Sequence, residues 1–167
     1  QTQAQYDKYN FYKGTILALE GMIAFANNYA DEAERLAKDC KDEKRKAELL
    51  EIARICRKVP AKPAETFREA MQSFWFTHLI MFIELNGRGM SPGRFDQYMY
   101  RPYIAEKLAG KTTDEEVLEY LELMRIKCTE LTRAHATFTE SYLGGSIYQN
   151  LTLGGVDRYG HPADNEL

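Results

Sequence analysis

The chain has 167 residues, long enough for one ordinary domain with its own core. Its 44% hydrophobic and 28% charged residues give the balance of a soluble globular protein, and a net charge of -3 argues against a nucleic-acid or anionic-membrane surface. The longest apolar stretch, Phe74 to Ile83, is broken by Thr77 and His78 and is too short to span a bilayer, and no charged-then-apolar leader opens the chain. Cys40, Cys56 and Cys128 lie far apart with no CxxC pair, so they read as reduced core residues of a cytoplasmic protein rather than zinc ligands or a redox dithiol.

Phe11, Ala18, Met22, Phe25, Tyr29, Ala33 and Leu36 recur at spacings of three, four and seven, which predicts a long first helix with these residues on its apolar face. Gly14 and Gly21 fall inside it and either weaken it or let another backbone approach. Lys38 to Lys46 is expected to connect it to a second helix bearing Leu49, Ile52, Ala53 and Cys56 on one face and ended by Pro60 and Pro63. Thr66-Phe67-Arg68-Glu69 is a capping box that opens a third helix, whose continuation to Leu85 is apolar almost all round and so is expected to be covered on every side.

Gly87, Gly89, Pro92 and Gly93 break regularity within a few residues and predict a loop. Thr113-Asp114-Glu115-Glu116 is a second capping box, followed by an apolar stripe of Val117, Leu121, Met124, Cys128 and Leu131. Beyond residue 140 the period changes. Ser146 to Leu153 alternates, with Ile147, Leu151 and Leu153 on one face and Tyr148, Asn150 and Thr152 on the other, which predicts a strand. Gly154-Gly155 and Asp157 to His161 stop it and turn the chain. The expected organisation is therefore one segment over 1–167, mostly helical to 140, with a strand and turn over 141–160. A lone strand cannot make a sheet. The pattern fits either an incomplete domain or a self-contained helical domain with a β-tail.

The run Asn86-Gly87-Arg88-Gly89-Met90-Ser91-Pro92-Gly93-Arg94-Phe95-Asp96-Gln97-Tyr98 resembles the glycyl radical enzymes of the pyruvate formate-lyase superfamily. The likeness is greatest to the branch of the coenzyme-B12-independent glycerol and propanediol dehydratases and choline trimethylamine-lyase. Ala53 to Ala61, Gln72 to Phe76 with Ile83-Glu84, Tyr148-Gln149-Asn150 with Gly154-Gly155, and Ala163 to Leu167 agree in the same order, so the resemblance covers nearly the whole chain.

The resemblance implies a ten-stranded α/β barrel to which this segment, mainly α with one or two short strands, contributes outer helices and an early barrel strand. It implies a glycyl radical installed by an iron-sulfur, S-adenosylmethionine-dependent activating enzyme, a small-molecule substrate and a homodimer. Dehydratase or C–X lyase chemistry is favoured by Phe95-Asp96-Gln97-Tyr98 over a formate acetyltransferase, the alternative in the same superfamily. Neither the Gly-Cys-x-Glu loop of the thiyl cysteine nor the Arg-Val-x-Gly loop of the radical glycine occurs in the chain, so no catalytic, cofactor-binding or metal-binding residue is assigned and the polypeptide alone is expected to be inactive.

What it can supply is substrate-binding wall, from Arg88, Gly89 and Tyr148. The diol dehydratases carry Asn-Gly-His-Ser where this chain has Asn86-Gly87-Arg88-Gly89, and that His-Ser pair binds substrate hydroxyls. Gly89 offers no hydroxyl, whereas Arg88 is a permanent cation suited to a carboxylate or sulfonate, or else to a local Asp or Glu that shapes the loop. Tyr148 matches a cavity-lining tyrosine of the dehydratases and could equally be a core tyrosine with a structural hydrogen bond. Arg94, Asp96 and Gln97 read as a structural cluster, His78 as a hydrogen-bonded core residue, and Glu84 as a buried partner of Arg88 or Arg94. A reading from another class remains: a non-catalytic helical module docking through the helix of residues 6 to 37.

Overall fold

The computed structural model describes residues 2–85, 89–131 and 149–167. Readings made for Asn86, Gly87, Arg88 and for Ser146 to Tyr148 lie outside the described residues. Among the described residues the secondary structure is helical: α1 Gln3–Asp39, α2 Glu43–Lys58, α3 Phe67–Glu84, α4 Phe95–Leu108 and α5 Asp114–Glu130. They fall in two compact units, Gln1–Ala64 with α1 and α2, and Glu65–Leu167 with α3 to α5. No described helix is long and apolar enough to cross a membrane.

In the first unit Thr2 and Gln5 form a capping box at the start of α1. The helix runs unbroken through Gly14 and Gly21, and no neighbouring atom comes within 4 Å of where a Cβ would stand at either, so of the two alternatives a close backbone approach is not seen among the described residues. The buried face also differs from the expected one. Ala26, Ala30, Ala33 and Ala37 are buried, whereas Phe11, Tyr29 and Leu36 are exposed. Steps of four, three and four keep these alanines on one stripe, and their small side chains let α1 pack closely on α2, with the larger apolar residues left on flanking faces. Asp42 caps α2 by accepting the N–H groups of Lys44 and Arg45, so the connection shrinks to Cys40–Asp42. α2 answers with buried Leu49, Ala53, Ile55 and Cys56.

In the second unit Thr66 Oγ1 accepts Glu69 N–H at 3.1 Å, the threonine half of the expected capping box, and Glu69 Oε2 takes the N–H of Glu65, one residue before the cap, at 2.9 Å. The third helix is covered less fully than its composition predicts. Met81, Ile83 and Leu85 are exposed, and Glu84 is exposed too, contrary to the buried position expected of it. They lie at its final turn, of which Phe82 is the buried member.

No element was expected between the loop and Thr113, yet α4 forms there around Pro102. Phe95, Met99 and Tyr103 recur every fourth residue and are all buried, which outweighs the N–H that Pro102 withholds from the carbonyl of Tyr98. Thr113 and Glu116 complete the second capping box, and α5 buries Val117, Met124 and Cys128 of its predicted stripe. The core joins Phe67 and Met71 of α3, Phe95, Met99 and Tyr103 of α4, and Val117, Met124 and Cys128 of α5. Each such apolar side chain contributes roughly 1.5–3 kcal/mol by leaving water.

The predicted strand is corrected. Gln149 to Leu153 is irregular, and the described residues contain isolated bridges only, Gly93 with Leu151 in parallel and Val156 with Pro162 antiparallel. A strand needs an extended neighbour, and the segment beside Leu151 is the short loop before α4. The turn is as expected. Asp157 Oδ1 accepts the N–H groups of Tyr159 and His161, at 2.7 and 2.9 Å, and closes the chain on itself.

Candidate functional site

Gly89 to Gly93 leads into α4, and Gln149 to Gly154 runs beside it. Gly93 N–H donates to the Asn150 carbonyl at 3.3 Å and the Thr152 N–H donates to the Gly93 carbonyl at 2.8 Å, so Leu151 faces Gly93 in a one-residue parallel register. Ser91 Oγ accepts the Asn150 N–H at 3.0 Å and extends the pairing one step towards Gly89. At Gly93 the chain turns with φ +67°, and at Gly89 with φ +64°, both in the left-handed region that glycine tolerates.

The far end of this pairing is gripped by α4. Asp96 Oδ2 accepts Gly154 N–H at 2.7 Å, and Arg94 Nη2 donates to the Gly154 carbonyl at 3.1 Å. Gln97 Nε2 donates both to Asp96 Oδ2 at 2.8 Å and to the Ala163 carbonyl at 2.7 Å. Asn165 Nδ2 adds a longer approach to Asp96 Oδ2 at 3.4 Å. Burial pushes the Asp96 carboxyl up, but the Gly154 N–H, the Gln97 amide and the Arg94 charge together hold it below the ordinary aspartate value. Asp96 also sits in the first turn of α4, where the free N–H groups favour an anion. Arg94, Asp96 and Gln97 thus act structurally, as their setting in a Gly/Pro loop suggested, with Arg94 and Asp96 holding the two ends of one peptide residue.

The near end is gripped by α3 and α5. Gln149 Nε2 donates to the Cys128 carbonyl at 2.9 Å, and Gln149 Oε1 lies 2.8 Å from His78 Nε2. His78 is buried and stacked on Phe74, the hydrogen-bonded core histidine expected from its helix. Sequence reasoning did not single out Gln149 or Ser91, although both stand in the stretches that carry the family resemblance; nothing in their residue types announces which backbone group each will meet.

No group poised for acid, base or nucleophilic chemistry lines the loop among the described residues. Burial pushes the Cys128 thiol up, away from thiolate character, and Tyr98 is pushed up to about 12 while its hydroxyl donates to the Pro92 carbonyl at 3.0 Å. No set of three His, Cys, Asp or Glu side chains able to hold a metal occurs among the described residues. Of the three expected substrate-binding residues, Arg88 and Tyr148 lie outside the described residues. Gly89 is described, and no atom comes within 4 Å of where its Cβ would stand. The local architecture is suited to holding a loop in place rather than to reacting.

The Pyruvate formate lyase-like family matches residues 1–167. The chain is 39% identical over 163 residues to indoleacetate decarboxylase of Tractidigestivibacter scatoligenes, covering 96% of this chain and 18% of that one. It is 38% identical over 169 residues to isethionate sulfite-lyase of Bilophila wadsworthia, covering 98% of this chain and 20% of that one. The glycerol-bound form of the B12-independent glycerol dehydratase from Clostridium butyricum superposes with a TM-score of 0.93 at 38% identity, over 99% of this chain and 21% of that one. The chain spans about a fifth of the length of the curated relatives it matches.

Proposed function

Because this chain belongs to the pyruvate formate lyase-like family, we propose that it works as the substrate-loop segment of a glycyl radical enzyme, a dehydratase or lyase acting on a small polar or anionic substrate. The observation that carries the anionic preference is Arg88-Gly89, in the loop where the diol dehydratases have His-Ser. A guanidinium presents a planar fork of donors that matches carboxylate or sulfonate oxygens and keeps its charge at every working pH. Two relatives support the same direction, since isethionate is a sulfonate and indoleacetate a carboxylate.

In this reading Arg88 binds the anionic group, Gly89 leaves room beside it, and Tyr148 offers its hydroxyl to the substrate cavity of a barrel completed by other segments. The glycyl radical, installed by an S-adenosylmethionine-dependent iron-sulfur activating enzyme, supplies the hydrogen-abstracting chemistry from outside this stretch. Assembly of the whole enzyme as a homodimer belongs to the same proposal.

The test is anaerobic activation of the full enzyme that carries this segment, followed by assays with isethionate, indoleacetate and glycerol. A glycyl radical signal by electron paramagnetic resonance and turnover of an anionic substrate in preference to glycerol are expected. Arg88→Ala should raise KM by about thirtyfold, the loss of about 2 kcal/mol typical of truncating one member of a buried charge pair. An unchanged KM in Arg88→Ala rejects the anion contact.

A further inference from the structure

The Gln149 amide is committed on both sides. Nε2 donates to the Cys128 carbonyl in α5 at 2.9 Å, and Oε1 meets His78 Nε2 of α3 at 2.8 Å. A carbonyl only accepts, so the amide nitrogen faces Cys128 and the oxygen faces His78. His78 therefore carries its proton on Nε2 and donates it. The imidazole is held by packing, with 4% of its surface exposed and its ring stacked on Phe74 at 5.4 Å and 24°.

One residue further on, Asn150 donates its N–H to Ser91 Oγ and accepts the N–H of Gly93. The side chain anchored in two helices is thus adjacent to the main chain that sets the register of Gly89 to Gly93. The pairing is parallel, so Gln149 and Gly89 stand at the same end of it. A single bridge with two flanking hydrogen bonds does not fix its own register firmly, and the anchored end must supply what it lacks.

We infer that Gln149, held by His78, is a positioning residue for the substrate loop: the amide fixes where Asn150 meets Ser91 and so where the Gly89–Gly93 stretch is presented. This rests on the reading of Arg88 and Gly89 as substrate contacts.

The test is steady-state kinetics on the activated full enzyme, with isethionate, indoleacetate and glycerol as probes and the glycyl radical quantified alongside. Gln149→Met keeps the shape and removes both polar atoms; His78→Leu removes the donor alone. Each should raise KM about tenfold, as expected for a stranded buried hydrogen-bonding group, with radical content and kcat within about twofold of wild type. His78→Gln places an N–H near the position of Nε2 and should bring KM back close to wild type. The double variant His78→Leu, Gln149→Met should be no worse than Gln149→Met alone, because that change already removes the bond His78 makes.

Arg88→Ala is the control for the site itself. If it raises KM and Gln149→Met does not, the positioning role is overturned and the site reading stands. If Arg88→Ala leaves KM unchanged, or none of the probes is turned over, the site reading fails and this inference with it. Loss of radical content together with activity in Gln149→Met assigns the amide to folding alone and also overturns the inference. Should His78→Leu fail to fold, Gln149→Met and His78→Gln still decide between these outcomes.

Discussion

Gly154 has room for a side chain only if Asp164 shifts, because the Asp164 carboxylate oxygen stands against the position a Cβ would take. Gly154 also has φ +60° and has its N–H and carbonyl held by Asp96 and Arg94. Gly155, its neighbour, has φ +84° but open space around its Cβ position. Gly154→Ala should therefore destabilise more than Gly155→Ala. The left-handed backbone alone costs roughly 1–2 kcal/mol in either variant, and overpacking adds roughly 1–3 kcal/mol at 154 only. Urea denaturation of both variants measures the difference, and equal losses would show that Asp164 moves aside freely.

Asp96 predicts a pH dependence. Its carboxyl is held below the ordinary value in the folded chain, so the unfolded chain binds a proton first as pH falls. Its stabilisation is present above the unfolded aspartate value of about 3.9 and is lost as pH drops through the lower folded value. Denaturation midpoints taken from neutral pH downwards should decline below about pH 4 and decline less steeply in Asp96→Asn. A parallel decline in both proteins would assign the acid limb to other carboxylates.

The helix caps give a simpler comparison. Thr113 and Glu116 exchange both capping bonds, whereas Thr66 accepts from Glu69 N–H and the Glu69 side chain takes the N–H of Glu65. Thr113→Ala and Thr66→Ala should each cost about 1 kcal/mol. Thr113→Ser, which keeps the accepting oxygen, should cost little. Thermal or urea denaturation of the three variants is sufficient.

Gly89 separates backbone from space. Gly89→Ala and Gly89→Ser should destabilise equally, by roughly 1–2 kcal/mol, because the left-handed φ and not a neighbour sets the cost. Gly89→Ser should not by itself confer glycerol turnover on the full enzyme, since Arg88 still occupies the position where the diol dehydratases have histidine. Gain of efficient glycerol turnover in the single variant would contradict the role given to Arg88.

The 167-residue chain mixed with the activating enzyme should give no glycyl radical signal, because no glycine in it lies in the radical-loop context. Electron paramagnetic resonance decides this directly.

The local elements were legible because their causes are local. The capping residues Thr66 and Thr113 and the stripe of α5 depend on neighbours within a turn or two. The family was legible as well, since Ser91 to Tyr98 and the stretches ordered around it are properties of residue order alone. The alanine face of α1 was not, because periodicity weights large apolar side chains while a close helix contact selects small ones. α4 was hidden by Pro102, whose local cost is outweighed by the burial of Phe95, Met99 and Tyr103. The expected strand illustrates the reverse. Alternation at 146–153 describes a chain able to pair, but pairing needs a partner, and only the folded chain brings Gly93 to Leu151. The union of the Gly89–Gly93 loop with Gln149–Gly154 was decided in the same way, by His78, Ser91 and Asp96, which stand some sixty to seventy residues away along the chain from the groups they hold. Sequence order names such residues but does not pair them, because a hydrogen bond depends on distance in space and the fold alone sets that distance.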